Sequence, residues 1–81
     1  MNTPGSNIED ELLDTSGLLC PLPVLKARKK LSSVPSGAVL LVRATDPASV
    51  IDFPHFCEQS GHQLLEQSQH GGVFEFRIRR K

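Results

Sequence analysis

Tryptophan and tyrosine are absent from this 81-residue chain, and four phenylalanines are its only aromatic residues. Modules that stack nucleic-acid bases on exposed rings are therefore disfavoured, because such platforms need several aromatic side chains. Cysteine is also scarce. Cys20 and Cys57 are fewer than a small secreted disulfide scaffold carries, and the first residues lack the basic flank and apolar stretch of a signal peptide. Residues 1–8, polar and containing Pro4 and Gly5, are expected to form a disordered leader, with a single domain over residues 9–81. The whole length is too short for two independent cores or for a large cofactor enzyme. Long apolar runs are missing as well; a bilayer span needs roughly 20 such residues, and a cytoplasmic protein with reduced thiols is expected, with no membrane partner.

Net charge is the last absence: nine Lys and Arg offset nine Asp and Glu. A strongly basic polyanion binder is excluded, and no direct nucleic-acid contact is expected. The zero conceals an order along the chain. Four acids from Glu9 to Asp14 are followed by five bases from Lys26 to Arg43, five acids from Asp46 to Glu75, and four bases from Arg77 to Lys81.

Leu12-Leu13 before Asp14-Thr15-Ser16-Gly17 reads as a short strand entering a turn. Pro21 to Ser32 carries Val24, Ala27 and Leu31 at helical spacing. Pro35-Ser36-Gly37 stops this helix, and Ala38 to Val42 is a nearly continuous β-rich apolar run. Asp46-Pro47 predicts a second helix start, with Asp46 as N-cap and Pro47 in the first helical position. Pro54 should kink or split that helix, and Gly61 should end it. A closing hairpin is predicted from a strand over Gln63 to Glu66, a turn at Gln69-His70-Gly71-Gly72, and a strand from Val73 to Arg79 in which Phe74, Phe76 and Ile78 alternate with Glu75, Arg77 and Arg79. The expected fold is thus an α/β (α+β) two-layer sandwich of β-α-β-α-β-β order, a four-stranded mixed sheet with two helices packed on one face. Its other face would be solvated or would meet a partner.

Chemistry concentrates at Gly17-Leu18-Leu19-Cys20-Pro21-Leu22-Pro23. With Pro21 in the first helical position, Cys20 becomes the N-cap and its sulfur lies at the positive end of the helix dipole, which favours the thiolate. Pro21 and Pro23 remove two backbone donors, leaving the amides of Leu22 and Val24 as those able to face the sulfur. Pro23 also stands where a C-x-x-C motif has its second cysteine, so no local thiol can close a disulfide with Cys20 or expel a sulfur carried on it. The plain alternative is a buried structural cysteine ahead of an ordinary helix.

Gly17-x-x-Cys20-Pro21-x-Pro23, with Asp14, Gly37, Thr45-Asp46-Pro47 and Asp52-Phe53-Pro54-x-Phe56-Cys57, closely resembles the TusA (SirA-like) sulfur-carrier family across about Leu12 to Arg79. The resemblance implies a β-α-β-α-β-β sandwich and a persulfide carried on Cys20. A Cys20 thiolate would take sulfur from a donor's persulfide and yield it to an acceptor thiol, with no metal or cofactor. The implied partners are a cysteine desulfurase or rhodanese-like donor and a downstream acceptor protein. The implied pathways are tRNA 2-thiouridine synthesis, cofactor synthesis or sulfur oxidation, in the manner of a carrier rather than a turnover enzyme. A non-catalytic regulatory or interaction module binding protein or RNA is the competing class; a peroxide-type thiol sensor is disfavoured for want of a resolving cysteine.

The remaining candidates have plainer readings beside functional ones. Cys57 is expected to be a small core residue, with a relay or disulfide to Cys20 as the alternative. His55, Cys57, His62 and His70 match no common zinc spacing, so no metal site is assigned. Asp14 and Asp46 read as turn or cap residues and Asp52 as a cap at the Pro54 kink. Lys26, Arg28, Lys29 and Lys30 complement the C-terminal dipole of the first helix and are also a candidate docking surface for an acidic partner.

Overall fold

The computed structural model describes residues 10–81; the expected leader over residues 1–8 lies outside the described residues. The element order is β1 (Glu11–Thr15), α1 (Leu22–Leu31), β2 (Val39–Ala44), α2 (Ser49–Ser60), β3 (Gln63–His70) and β4 (Val73–Arg79). The strands form one sheet in the order β1-β2-β4-β3, with β1 parallel to β2 and the other neighbours antiparallel. This is the mixed four-stranded sheet that the pattern of apolar runs requires.

Alternation along the central strands decides which face is covered. Leu40, Val42 and Ala44 of β2 and Phe74, Phe76 and Ile78 of β4 are buried on one face, where Ala27 and Leu31 of α1 and Phe53 and Cys57 of α2 meet them. Phe53 stacks on Phe76 with ring centroids 4.6 Å apart, a contact worth more than its area alone. The two helices therefore share one side of the sheet.

The opposite face is neither bare nor segregated in charge. Arg43 pairs with Glu75 across β2 and β4, and Arg77 bridges Asp10 and Glu66; on the helix-covered side, Lys30 of α1 reaches Glu11. Each pair joins a basic block of the sequence to an acidic one. The separation seen along the chain is folded into cross-strand neighbours, because β-pairing sets residues from distant segments side by side.

Several boundaries differ from the sequence-based expectation. Helix α1 begins at Leu22 with Pro21 as N-cap, so Cys20 lies one residue further out than the expected N-cap position. Helix α2 has Ala48 at its N-cap, not Asp46, and runs unbroken through Pro54. The carbonyl that a Pro54 amide would have bonded belongs to Val50, and the Gln67 side-chain amide donates to it from β3 at 3.5 Å. Gly61 ends α2 as expected, in the left-handed region at φ 87°. Strand β3 extends four residues past its expected end, and its ladder with β4 shifts register between Leu64 and Glu66. The final strand matches its expected span.

Candidate functional site

Two consecutive turns carry the chain from β1 to α1. In the first, the Leu18 amide donates to the Thr15 carbonyl at 3.1 Å, and Gly17 takes φ 84° in the position where such a turn requires a positive value. In the second, the Leu22 amide donates to the Leu19 carbonyl at 2.9 Å around a cis Cys20–Pro21 bond. Cys20 sits at the tip of that turn and is exposed. The Leu22 amide is thus engaged by Leu19 and does not face the sulfur as expected. Pro21 is exposed, whereas Pro23 is buried with Ala27 and Leu31 along the inner stripe of α1, anchoring the turn to the core.

The loop between β2 and α2 holds these turns from the side. Thr45 Oγ1 accepts the Gly17 amide at 2.8 Å, and Asp46 Oδ2 accepts the Cys20 amide at 2.6 Å. Asp46 Oδ1 also accepts the Ala48 amide at 3.2 Å, and the Asp46 carbonyl accepts that of Ser49. One carboxylate therefore closes the turn that opens α2 and fastens the cysteine loop. Asp14, by contrast, only accepts from the amide and hydroxyl of Ser16, the local turn role expected of it.

Asp52 is the residue that the sequence pattern misassigned. It makes no capping hydrogen bond; it lies in the first turn of α2, and its carboxylate shares a cleft with the Cys20 thiol. Cys20, Pro21, Val24, Asp52, His55 and Phe56 line one cleft of about 230 Å³. Interaction with the Asp52 carboxylate holds the thiol above the ordinary cysteine range; partial desolvation and the negative charges of Asp52 and Asp46 act in the same direction. This corrects the expectation of a thiolate favoured by the helix dipole. A carboxylate in the thiol's own cleft outweighs a half-charge spread over a helix terminus.

Cys57 occupies the core at 4% exposure, and burial pushes its thiol up to about 11. It is the small core residue that its sequence context suggested. Among the described residues, no three His, Cys, Asp or Glu side chains converge as metal ligands would. His62 belongs instead to the chain's end, its Nδ1 accepting the Lys81 amide.

The four basic residues of α1 divide between two surfaces. Lys26, Lys29 and Lys30 line a groove of about 570 Å³ with Leu13, Leu22 and Leu25. Arg28 lines a separate depression with Phe56, Gln59, His62 and Arg80. Lys30 is further committed to Glu11 at 3.1 Å. Leu19, next to Cys20 in the chain, is 68% exposed, and Ile51, next to Asp52 in the chain, is 74% exposed.

Comparison with known proteins places this arrangement. Residues 11–80 match the family model described as Sulfurtransferase TusA. The chain is 52% identical over 71 residues to the sulfur carrier protein TusA of Allochromatium vinosum, covering 88% of this chain and 93% of that protein. It is 42% identical over 72 residues to the sulfur carrier protein TusA of Pseudomonas putida, covering 89% and 90% respectively. Among solved structures, the crystal structure of a SirA-like protein from Desulfitobacterium hafniense superposes with a TM-score of 0.74 at 30% identity, over 84% of this chain and 93% of that one.

Proposed function

The chain belongs to the TusA family and is a sulfur carrier, and on that premise we propose that its sulfur travels as a persulfide on Cys20. The observation that carries this reading is the contrast between the two thiols: Cys20 stands exposed at the tip of a clamped turn, and Cys57 is enclosed in the core. Sulfur exchange between proteins requires an in-line approach of one sulfur to another, which only an accessible side chain allows. Thiol Cys20 takes the outer sulfur of a donor persulfide and later yields it to an acceptor thiol.

The donor is a cysteine desulfurase or a rhodanese-like protein, and the acceptor a downstream protein of the relay, met in the cytoplasm where thiols stay reduced. Leu19 supplies an exposed apolar side chain next to Cys20 in the chain and Leu22 and Leu25 others along α1, and Lys26 and Lys29 supply positive charge there for an acidic partner. An RNA-binding role for the open sheet face is less well supported. Three of the four phenylalanines, Phe53, Phe74 and Phe76, are buried, and that face is occupied by carboxylate–guanidinium pairs.

Incubation with a desulfurase and cysteine tests the reading by intact mass. A reductant-labile gain of about 32 Da, one sulfur atom, is expected on the native chain and not on Cys20→Ser. An equal gain on Cys20→Ser would move the cargo to another residue.

A further inference from the structure

A carboxylate in the cleft of the reacting sulfur has no place in a simple picture of a carrier as a passive exposed thiol. Asp52 belongs to α2, thirty-two positions away in sequence from Cys20, yet it lines the same small cleft as the thiol. A general base must come within hydrogen-bond reach of the proton it takes, and Asp52 is the carboxylate that lines the thiol's cleft. The other charged or titratable groups around the sulfur are Asp46, from the loop before α2, and His55, one turn further along the same helix. Asp46 is occupied by the amides of Cys20 and Ala48, whereas Asp52 makes no capping hydrogen bond and faces the cleft of the thiol.

Taking Cys20 as the sulfur-bearing residue, we propose that Asp52 is the proton acceptor of sulfur uptake: it holds the thiol proton in the empty carrier and takes it as Sγ attacks. In that step a bond forms between Cys20 Sγ and the outer sulfur of the donor persulfide. The donor's S–S bond breaks, and its electron pair leaves on the donor's inner sulfur. The proton passes from Sγ to an Asp52 oxygen and then to the departing donor thiolate. One thiol and one persulfide thus give one persulfide and one thiol, with no oxidant or reductant consumed. The arrangement keeps the empty carrier as a thiol, which is slow to react with oxidants and alkylating agents. Reactivity is released where a base is already positioned to assist it.

Asp52→Asn separates this role from a structural one, because the amide keeps the shape but neither carries charge nor accepts the proton. Two rates are measured as functions of pH: alkylation of Cys20 by iodoacetamide, which reports the thiolate, and sulfur uptake from glutathione persulfide, followed by mass. In Asp52→Asn the alkylation midpoint moves to lower pH, so alkylation at neutral pH is faster, while sulfur uptake at neutral pH slows by at least about tenfold. Asp52→Glu restores uptake to within a few-fold of the native rate. Asp52→Ser is run in parallel, and unfolding midpoints identify which variants keep the native fold. An unmoved alkylation profile, or uptake that rises in step with alkylation, overturns the assignment. Sulfur uptake by Cys20→Ser would instead overturn the choice of Cys20, so the two failures are distinct.

Discussion

The Cys20 amide and the Asp46 carboxylate meet at 2.6 Å across 26 positions of sequence, and this single bond ties the cysteine turn to the opening of α2. Because the other Asp46 oxygen accepts the Ala48 amide, Asp46→Ala releases two backbone donors at once. The expected cost is about 1–2 kcal/mol of stability, typical for loss of a capping side chain, read from denaturant unfolding. Removing its charge also moves the Cys20 thiol toward easier ionisation, since Asp46 is one of the groups that holds it up. Alkylation of Cys20 should therefore quicken at neutral pH in Asp46→Ala, while sulfur uptake, which needs the sulfur held in place, falls.

Cys57 predicts the alkaline limit of stability. Its folded thiol is pushed up to about 11 from an ordinary value of 9.0, so an unfolded chain gives up this proton first. Above about pH 9 the folded state holds more protons than the unfolded one, and stability falls as pH rises until about pH 11. Cys20, also raised, contributes in the same direction. Cys57→Ala should lose about 1 kcal/mol at neutral pH through the vacated core volume, yet show a shallower decline between about pH 9 and about pH 11 in urea unfolding. A decline as steep as that of the native chain would mean that Cys57 is solvated.

The division of the basic cluster predicts unequal effects. Lys26→Glu with Lys29→Glu should weaken donor affinity several-fold, more at low than at high salt, with little change in stability. Arg28→Glu, lining a different depression, should have a smaller effect on the same donor. Titration calorimetry at two ionic strengths checks both, and equal losses from the two substitutions would place the contact between the surfaces.

The sequence revealed most where burial imposes a period. In β4 the alternation of Phe74, Phe76 and Ile78 with Glu75, Arg77 and Arg79 is forced by one covered and one open face, and the strand is found in its expected place. The second half of β3, Gln67 to His70, is exposed throughout. Its strand identity comes from pairing with β4, which leaves no apolar trace. Pro54 misled for a related reason. Its lost hydrogen bond is a local cost, and the packing of Phe53 and Cys57 on the sheet, with Gln67 reaching the Val50 carbonyl, holds the helix together regardless.

At the site, the thiol's position was legible and its acidity was not. Cys20 is followed by two prolines that fix the turn, a feature contained within four residues. The groups that set its protonation, Asp46 and Asp52, come from the loop after β2 and from α2, and only the folded chain brings them to the sulfur. The cysteine's own helix contributes only its dipole, and the stronger neighbour stands on α2. The Thr45-Asp46-Pro47 and Asp52-Phe53-Pro54 segments did carry the signal, being part of the family resemblance, but as turn and cap residues they gave no hint of which atom they would face.

The register shift between Leu64 and Glu66 bears on how the molecule avoids its own kind. Strand β3 is an outer strand, and eight residues of unpaired edge would invite a second copy to add its own strand. The irregularity bends that edge, and the exposed Glu66-Gln67-Ser68-Gln69-His70 that follows offers little apolar surface to an incoming strand. A sulfur carrier, which must meet partners and part from them, thereby offers little to another copy of itself along that edge.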